Sequence, residues 1–189
     1  MLTPAPRLLV LAGPNGAGKT TYYRTYLSTS GLLFVNADEL VRTLGVPNPE
    51  AANFADGARE ALLSSRESFI TETVFSDPVG AKLNFLRRAM AVGYNVQVDF
   101  IGLSGVGLSE VRVMQRVAQG GHDVPSDRLE RRFHQSLRNL AEAITFVPQL
   151  RVFDNSDPDH PFHLVLRAER GQIMFRAHPF PEWLAVVPG

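Results

Sequence analysis

The chain has 189 residues, enough for one domain with a substantial core, and its 44% of hydrophobic and 20% of charged residues are ordinary for a soluble globular protein. Nineteen basic residues balance nineteen acidic ones, so no overall field attracts nucleic acid or an anionic membrane, and we expect neither as a partner. Cysteine is absent, which excludes disulfides, thiolate catalysis and cysteine-based zinc sites.

No segment has the pattern of a targeting or membrane-spanning sequence. The first apolar run, LLVLAG, is short and leads directly into a glycine-rich turn, unlike a signal peptide with its small-residue cleavage site. No apolar run approaches the roughly 20 residues that span a bilayer. We therefore expect a cytoplasmic protein. Since no linker or repeat divides the chain, we also expect a single domain over residues 1–189.

The first predicted element is a buried strand over residues 8–11, followed by a glycine-rich turn and a helix over residues 20–27. The turn reads GPNGAGKT, the full P-loop pattern, in which backbone N–H groups and a helix start hold phosphate. Its lysine, one of two in the chain with Lys82, would reach the outer phosphates, and its threonine hydroxyl would bind Mg²⁺. We expect a nucleoside triphosphate and Mg²⁺ as cofactors. The predicted contacts are Gly13, Pro14, Asn15, Gly16, Ala17, Gly18, Lys19, Thr20 and Thr21, with Thr20 as metal ligand.

The segments that follow alternate between strand and helix patterns. Predicted strands lie at residues 32–35, 69–75, 95–103 and 150–153, and predicted helices at 49–65, 81–92, 109–119 and 126–145. A hairpin over residues 162–177 turns at 169–171. Strands that alternate with helices form a mostly parallel sheet with helices on both faces. We predict an α/β fold with a mostly parallel sheet of about five strands and a C-terminal β-hairpin.

Acidic side chains follow two of the predicted strands, at the edge where ligands bind in such sheets. Asp38 comes after the second strand, and Glu72 lies toward the end of the third. Asp38 is a candidate base for an acceptor hydroxyl or, alternatively, a helix N-cap; Glu72 is part of the binding edge or merely an edge carboxylate. Neither acid directly follows four apolar residues, as the magnesium-binding aspartate of a motor or switch does. The pattern therefore favours phosphate transfer to a second substrate over transfer to water.

Arginines cluster in the stretch EVRVMQRVAQGGHDVPSDRLERRF, which paired glycines and a proline divide into two helices. These arginines are Arg112 and Arg116 on the first helix and Arg128, Arg131 and Arg132 on the second. A lid that carries arginines would exclude water and stabilise a transferred phosphoryl group. We predict such a lid at about residues 109–138; the alternative for each arginine is a solvated helix face. His122 and His134 receive no catalytic role, because lone histidines are more often structural or exposed.

Together these motifs resemble the zeta toxin family of P-loop kinases. The resemblance rests on GPNGAGKTT, VNADEL, ITETVFS, RVAQGGHDVPSDRLERRF and FDNS, in family order over roughly residues 7–156. It implies a nucleoside-monophosphate-kinase-like fold and ATP-dependent phosphorylation of a UDP-activated amino sugar, typically UDP-N-acetylglucosamine at its 3′-hydroxyl. It also implies a toxin that has an antitoxin protein as its partner.

The resemblance carries roles over to single residues. It implies Asp38 as the catalytic base, Glu72 as a contact of the sugar nucleotide, and Arg116 as the arginine that steadies the phosphates, beside Lys19. A further lid arginine is expected, for which Arg128, Arg131 and Arg132 compete. After Glu72 the chain continues TVFS and lacks the family's glycine and threonine pair, at positions that shape the acceptor pocket. Thr73 is the candidate substrate contact there.

Two hypotheses of different classes follow. The leading one is a magnesium- and ATP-dependent kinase that phosphorylates a hydroxyl of a sugar nucleotide. The alternative is a regulatory P-loop ATPase or nucleotide-binding module that acts on a protein partner. A nucleic-acid end kinase is disfavoured by the neutral net charge and by the lack of a basic groove with aromatic residues. The destination of the phosphate distinguishes the first two hypotheses.

Overall fold

The computed structural model of the protein describes residues 4–45, 47–119 and 125–187. Its strands are β1 Arg7–Ala12, β2 Leu33–Val35, β3 Phe69–Thr73, β4 Asn95–Gly102, β5 Gln149–Asp154, β6 His163–Glu169 and β7 Gln172–Arg176. Its helices are α1 Lys19–Tyr22, continued by a π-helical turn Tyr23–Leu27, α2 Ala37–Leu44, α3 Asn48–Ser65, α4 Ala81–Ala91, α5 Val106–Ala118 and α6 Ser126–Ile144, with a 3₁₀ turn at Glu182–Leu184. Within the described ranges, no helix is long and apolar enough to cross a bilayer.

The strands form one sheet in the order β2-β3-β1-β4-β5-β6-β7. The first five strands in this order form four parallel pairs, and β6 and β7 add two antiparallel pairs beyond β5. The predicted parallel sheet and the predicted hairpin are thus confirmed. The sheet nevertheless has seven strands rather than about five, because the hairpin extends the same sheet instead of standing apart. The central position of β1 puts the turn after it between the carboxyl ends of β3 and β4, where ligands bind in such sheets.

One helix, α2, was not predicted from the sequence; it follows β2 directly. Asn36 is its N-cap, and the side-chain oxygen of Asn36 accepts a hydrogen bond from the N–H of Asp38 at 2.9 Å. The helix ends at Gly45, whose φ of 66° is the left-handed conformation typical of a helix C-terminus. Asp38 therefore lies in the first turn, and the alternative in which it is the N-cap is wrong.

The predicted third strand is too long by two residues. β3 ends at Thr73 because Phe75 has a φ of 62°, a conformation that no strand residue adopts. Phe75 is fully buried, packs edge-on against Phe100, and its carbonyl accepts a hydrogen bond from Asn139 of α6 at 2.9 Å. Packing of this one side chain stops the strand and turns the chain toward α4.

Strand register sorts the side chains onto two faces of the sheet. Val10 of β1 is in register with Thr71 of β3, and Thr71 accepts a hydrogen bond from Arg59 of α3 at 2.7 Å, so α3 covers that face. Asp99 of β4 lies on the opposite face, where the hydroxyl of Tyr22 in α1 contacts it at 3.4 Å. Helices thus cover both faces, as predicted, and the core lies between them and the sheet.

The segment after β7 returns to the carboxyl ends of β4 and β5. Trp183 lies directly on Gly102, where an added Cβ would stand 2.0 Å from the indole ring. The indole N–H donates to Asp154 at the end of β5, at 2.9 Å. The C-terminal segment therefore covers the strand ends beside the glycine-rich turn.

Candidate active site

The turn after β1 is a loop that needs glycine at three positions. Gly13, Gly16 and Gly18 have φ values of 137°, 72° and 91°, which residues with side chains rarely adopt. A Cβ on Gly13 would also lie 2.0 Å from the carbonyl oxygen of Ile101 in β4. A turn of this kind, followed by the start of a helix, presents backbone N–H groups to an anion. The loop is therefore a fitting cradle for phosphate.

Two side chains from distant parts of the sequence hold this cradle in place. The hydroxyl of Ser109 in α5 donates to the carbonyl of Asn15 at 2.7 Å. The amide of Asn155, just after β5, donates to the carbonyl of Ala17 at 2.9 Å. Neither role was predicted from the sequence, although FDNS, which contains Asn155, is one of the motifs that resemble the family. No spacing signal would have found them, because 94 and 138 residues separate the partners.

Lys19 is buried at the start of α1, with 6% of its surface exposed. Its ammonium donates to the carbonyl oxygens of Gly13 at 3.0 Å and Pro14 at 2.9 Å, so it lies against the loop. Glu72 approaches the same ammonium to 4.0 Å. Burial lowers the pKa of Lys19, while the negative charges of Glu72 and Asp38 act in the opposite direction. The lysine is thus a largely desolvated cation within the cradle.

Glu72 is the link between the third strand and the cradle. One carboxylate oxygen accepts hydrogen bonds from the Thr20 hydroxyl and from the Asn36 amide, both at 2.9 Å. Burial raises the pKa of Glu72, whereas Lys19 and the bond from Thr20 lower it. Because Glu72 is only 11% exposed and is hydrogen-bonded to Thr20 and Asn36, it is more than a carboxylate at the sheet edge. Its position beside Thr20 is one that the sequence pattern did not indicate.

The oxygen atoms of Thr20 and Glu72 fit magnesium. Mg²⁺ prefers oxygen ligands and usually binds through one or two carboxylates together with substrate phosphates. Across the described residues, no group of three or more acidic or histidine side chains could hold a metal alone. The geometry thus suits a metal that shares its ligands with a nucleotide. The side-chain oxygen of Asn15 is buried in the loop with no hydrogen-bond partner in the described part of the chain, and a bound ligand would satisfy it.

Asp38 of α2 and Arg116 of α5 meet in an ion pair beside the cradle. The distance between Asp38 Oδ2 and Arg116 Nη1 is 3.8 Å, and the side chains are 73% and 42% exposed. Both charges act on the pKa values of Lys19 and Glu72, so the four groups share one electrostatic environment. The structure thus brings together residues that the sequence analysis assigned to the base and to the phosphate contact.

Of Arg128, Arg131 and Arg132, the three candidates for the second arginine that contacts the phosphates, Arg132 has the most suitable surroundings. Burial lowers its pKa most, Arg128 and Arg131 lower it further, and Asp38 raises it, so Arg132 is half-buried near Asp38. Arg128 and Arg131 are exposed. α6 also packs into the core through Phe133, Leu137, Leu140 and Ala143.

The remaining predicted positions divide between the site and its surroundings. Thr21 is exposed, and His134 is exposed on α6. Thr73 accepts a hydrogen bond from the N–H of Phe75 at 3.2 Å and lines a cavity on the sheet face opposite Glu72. The predicted lid hinge at Gly120 and Gly121, with His122, lies outside the described residues, so the lid stays a prediction.

The fold and the cradle define the class of the protein. A central parallel sheet with a glycine-rich P-loop after β1, a lysine and a threonine at the start of α1, and a carboxylate on the neighbouring strand make it a P-loop protein of the kinase type. A model of the zeta toxin family matches residues 2–161. The chain belongs to the zeta toxin family, as its motifs predicted.

Solved structures of low sequence identity share this fold. The complex of AvrRxo1-ORF1 and AvrRxo1-ORF2 with sulphate ions has a TM-score of 0.72 and 19% identity, covering 97% of this chain and 65% of that chain. A structure of the PezAT chromosomal toxin–antitoxin system of Streptococcus pneumoniae has a TM-score of 0.65 and 14% identity, covering 88% of this chain and 74% of that chain. This chain thus spans less than two thirds of the AvrRxo1 chain.

One curated relative is similar in sequence. It is an uncharacterized protein of Haemophilus influenzae (strain ATCC 51907 / DSM 11121 / KW20 / Rd), 23% identical over 133 residues. The similarity covers 67% of this chain and 92% of that protein.

Proposed function

We propose that the protein is an ATP-dependent kinase that transfers the γ-phosphate to a hydroxyl of a UDP-activated amino sugar, with UDP-N-acetylglucosamine as the acceptor to test first. The observation that carries this proposal is the Asp38–Arg116 pair beside a complete P-loop. A P-loop alone serves hydrolysis equally well, whereas an exposed carboxylate next to it supplies a base for a second substrate. The kinase fold and the family support the same activity.

The cradle supports ATP as the donor. Lys19 and the backbone of residues 13–18 would hold its phosphates, and Thr20 with Glu72 would hold magnesium. When bound, magnesium supplies positive charge that offsets the charge developing on the phosphoryl oxygens. A structure of the AvrRxo1-ORF1 and ORF2 pair with ATP, of TM-score 0.69 and 19% identity over 89% of this chain and 60% of that chain, supports this nucleotide for the fold.

The chain's own residues define the transfer step. Asp38 takes the proton of the acceptor hydroxyl while the hydroxyl oxygen forms a bond to the γ-phosphorus of ATP. The bond between the γ-phosphorus and the oxygen that bridges it to the β-phosphate breaks, and ADP leaves. Arg116, with Arg132 as second arginine, stabilises charge on the transferred group. Since Asp38 is paired with Arg116 at 3.8 Å, movement of the arginine toward the phosphates would release the carboxylate for the acceptor.

The acceptor and the biological role rest on the family. A UDP-activated amino sugar is what the resemblance implies, and the PezAT relative is described as a toxin–antitoxin system. We propose a toxin that a cognate antitoxin protein inhibits in the cytoplasm. Growth arrest on expression of the protein, absent from the Lys19→Met variant, would support this role; unimpaired growth in a strain without any antitoxin would contradict it.

The destination of the phosphate tests the proposal. The protein is incubated with ATP, Mg²⁺ and UDP-N-acetylglucosamine, and mass spectrometry follows the sugar nucleotide while a colorimetric assay follows free phosphate. We expect one phosphoryl group on the sugar nucleotide and little free phosphate. If ATP is hydrolysed while UDP-N-acetylglucosamine and related UDP-amino sugars stay unmodified, the kinase proposal fails and the regulatory ATPase hypothesis gains.

A further inference from the structure

A cavity of about 230 Å³ lies between α3 and α4, over the β1 and β3 side of the sheet. Thr73 lines it, and Arg59, on its wall, donates to the carbonyl of Glu72 at 3.2 Å, so the cavity and the cradle meet at the end of β3. Whole small-molecule sites usually have about 300–1,000 Å³. The cavity thus suits one group of a ligand rather than an entire sugar nucleotide.

The charges on its wall do not balance. Five charged residues line the cavity, namely Asp56, Arg59, Glu60, Lys82 and Arg88. Four of them form two ion pairs, Arg59 with Asp56 and Arg88 with Glu60. The ammonium of Lys82 makes no hydrogen bond or ion pair with any residue in the described part of the chain. Among these five residues, the positive charge of Lys82 is therefore the one without an ion-pair partner.

The surroundings of Lys82 make this charge costly without a ligand. Burial lowers the pKa of Lys82 most, and the nearby guanidinium of Arg59 lowers it further, against smaller effects of Asp56 and Asp77. Arg59 itself is fully engaged, since it also donates to Thr71 at 2.7 Å. A half-buried, unpaired cation in a cavity is the arrangement that an anionic ligand stabilises.

We infer that this cavity binds a phosphate group of the acceptor, with Lys82 as the residue that selects for it. The inference rests on the proposed kinase function, because it assigns the cavity to the acceptor. Asp77 caps the first turn of α4, accepting from the N–H groups of Ala81 at 2.7 Å and Lys82 at 3.1 Å, so the anion would contact the Lys82 side chain and not the start of the helix. A compact ammonium is a point charge that suits phosphate oxygens. Lys82 thus determines acceptor affinity and takes no part in the transfer itself.

Lysine labelling tests the inference directly, because Lys19 and Lys82 are the only lysines in the chain. Protein labelled with ¹³C at the lysine ε-carbon gives two side-chain signals, and the Lys82→Arg variant assigns them. Saturating Mg-ADP first occupies the cradle, so that Lys19 no longer responds. We expect the Lys82 signal to shift with UDP-N-acetylglucosamine and with inorganic pyrophosphate, but not with N-acetylglucosamine. A Lys82 signal that stays in place, or that shifts with citrate and not with pyrophosphate, overturns the inference.

Kinetics provide a second readout. A hydrogen bond to a charged group contributes enough that its loss changes affinity by roughly 10- to 100-fold. We expect Lys82→Met to raise the KM for UDP-N-acetylglucosamine by that factor while the KM for ATP and kcat change little, and Lys82→Arg to recover part of the loss. Arg167→Gln, which removes an exposed positive charge on β6, is the matched control and should change neither KM.

The outcomes separate this inference from the proposed function. Phosphorylated product formed with an unchanged acceptor KM in Lys82→Met leaves the kinase intact and overturns the role of the cavity. A Lys82 signal that shifts with pyrophosphate in a protein that only hydrolyses ATP supports the anion site and overturns the kinase.

Discussion

The donor side and the acceptor side of the candidate site differ in how completely the folded chain builds them. On the donor side, the side chains of Lys19 and Glu72 are only 6% and 11% exposed, and each hydrogen-bonds within the P-loop region. On the acceptor side, Asp38 is largely exposed and Arg116 partly exposed, and their side chains approach to 3.8 Å. The chain's own contacts thus hold the phosphate cradle together, whereas in the proposed mechanism Asp38 acts as a base only after Arg116 moves and an acceptor covers it.

Removing the charge of Asp38, the proposed base, tests whether the donor and acceptor sides act separately. In Asp38→Asn we expect phosphate transfer to fall by about 10²- to 10⁴-fold, the usual contribution of a general base. ATP affinity measured by calorimetry should change little, because the donor side is built without Asp38. Glu169→Gln, an exposed carboxylate at the end of β6, is the control. Loss of ATP binding in Asp38→Asn would show that the two sides are not separate.

The reciprocal change removes the buried cation of the donor side. In Lys19→Met we expect kcat to fall by about 10²- to 10³-fold, as for loss of one preorganised donor to a developing charge. ATP should also bind more weakly, whereas the affinity for UDP-N-acetylglucosamine should stay near that of the unmodified protein. Binding of both ligands by calorimetry checks this. Equal weakening of both would argue against a donor side that is built independently.

The third change tests whether the packing of Trp183 on Gly102, beside the cradle, stabilises the fold. A Cβ in Gly102→Ala would collide with Trp183, so we expect a loss of about 1–3 kcal/mol in the free energy of unfolding. Trp183 is the only tryptophan, so its fluorescence emission should shift to longer wavelength as it leaves its place. Gly57→Ala, inside α3 with open space around it, is the control and should stabilise by about 0.5–1 kcal/mol. An unchanged emission maximum would show that the indole does not depend on Gly102.

The smallest expected effect concerns Tyr22, the last residue of α1, whose hydroxyl contacts Asp99 of β4. Burial, followed by the charge of Asp99, raises the pKa of Tyr22. The folded state therefore favours the neutral phenol, and the resulting stabilisation is present below the ordinary tyrosine pKa of about 10 and is lost as the pH rises above it. In an ultraviolet titration, the absorbance change from tyrosine ionisation near pH 10 should be as large in Tyr22→Phe as in the unmodified protein. A loss there would mean that Tyr22 titrates like an exposed tyrosine.

The order of the strands and helices could be predicted from the sequence because it depends on local patterns. The alternation of strands and helices, the hairpin and the P-loop all follow from short-range periodicity and from glycines at fixed spacing. The two misses have different causes: α2 is only eight residues long, whereas Phe75 leaves β3 because its ring packs against Phe100 of a distant strand. Neither the length of a short helix nor the φ angle of a buried phenylalanine has a sequence signal.

The phosphate cradle could be predicted from the sequence, since GxxxxGKT specifies the backbone conformation and the helix start within eight residues. The surroundings of the cradle depend on long-range contacts in the folded chain. Glu72 bonds to Thr20 across 52 residues, and Asn155 holds the loop across 138. The tertiary structure also left Lys82 as the one charged residue without an ion pair among the described residues that line the cavity. Such contacts depend on strand order and register, which bring distant residues together without leaving a pattern in the chain.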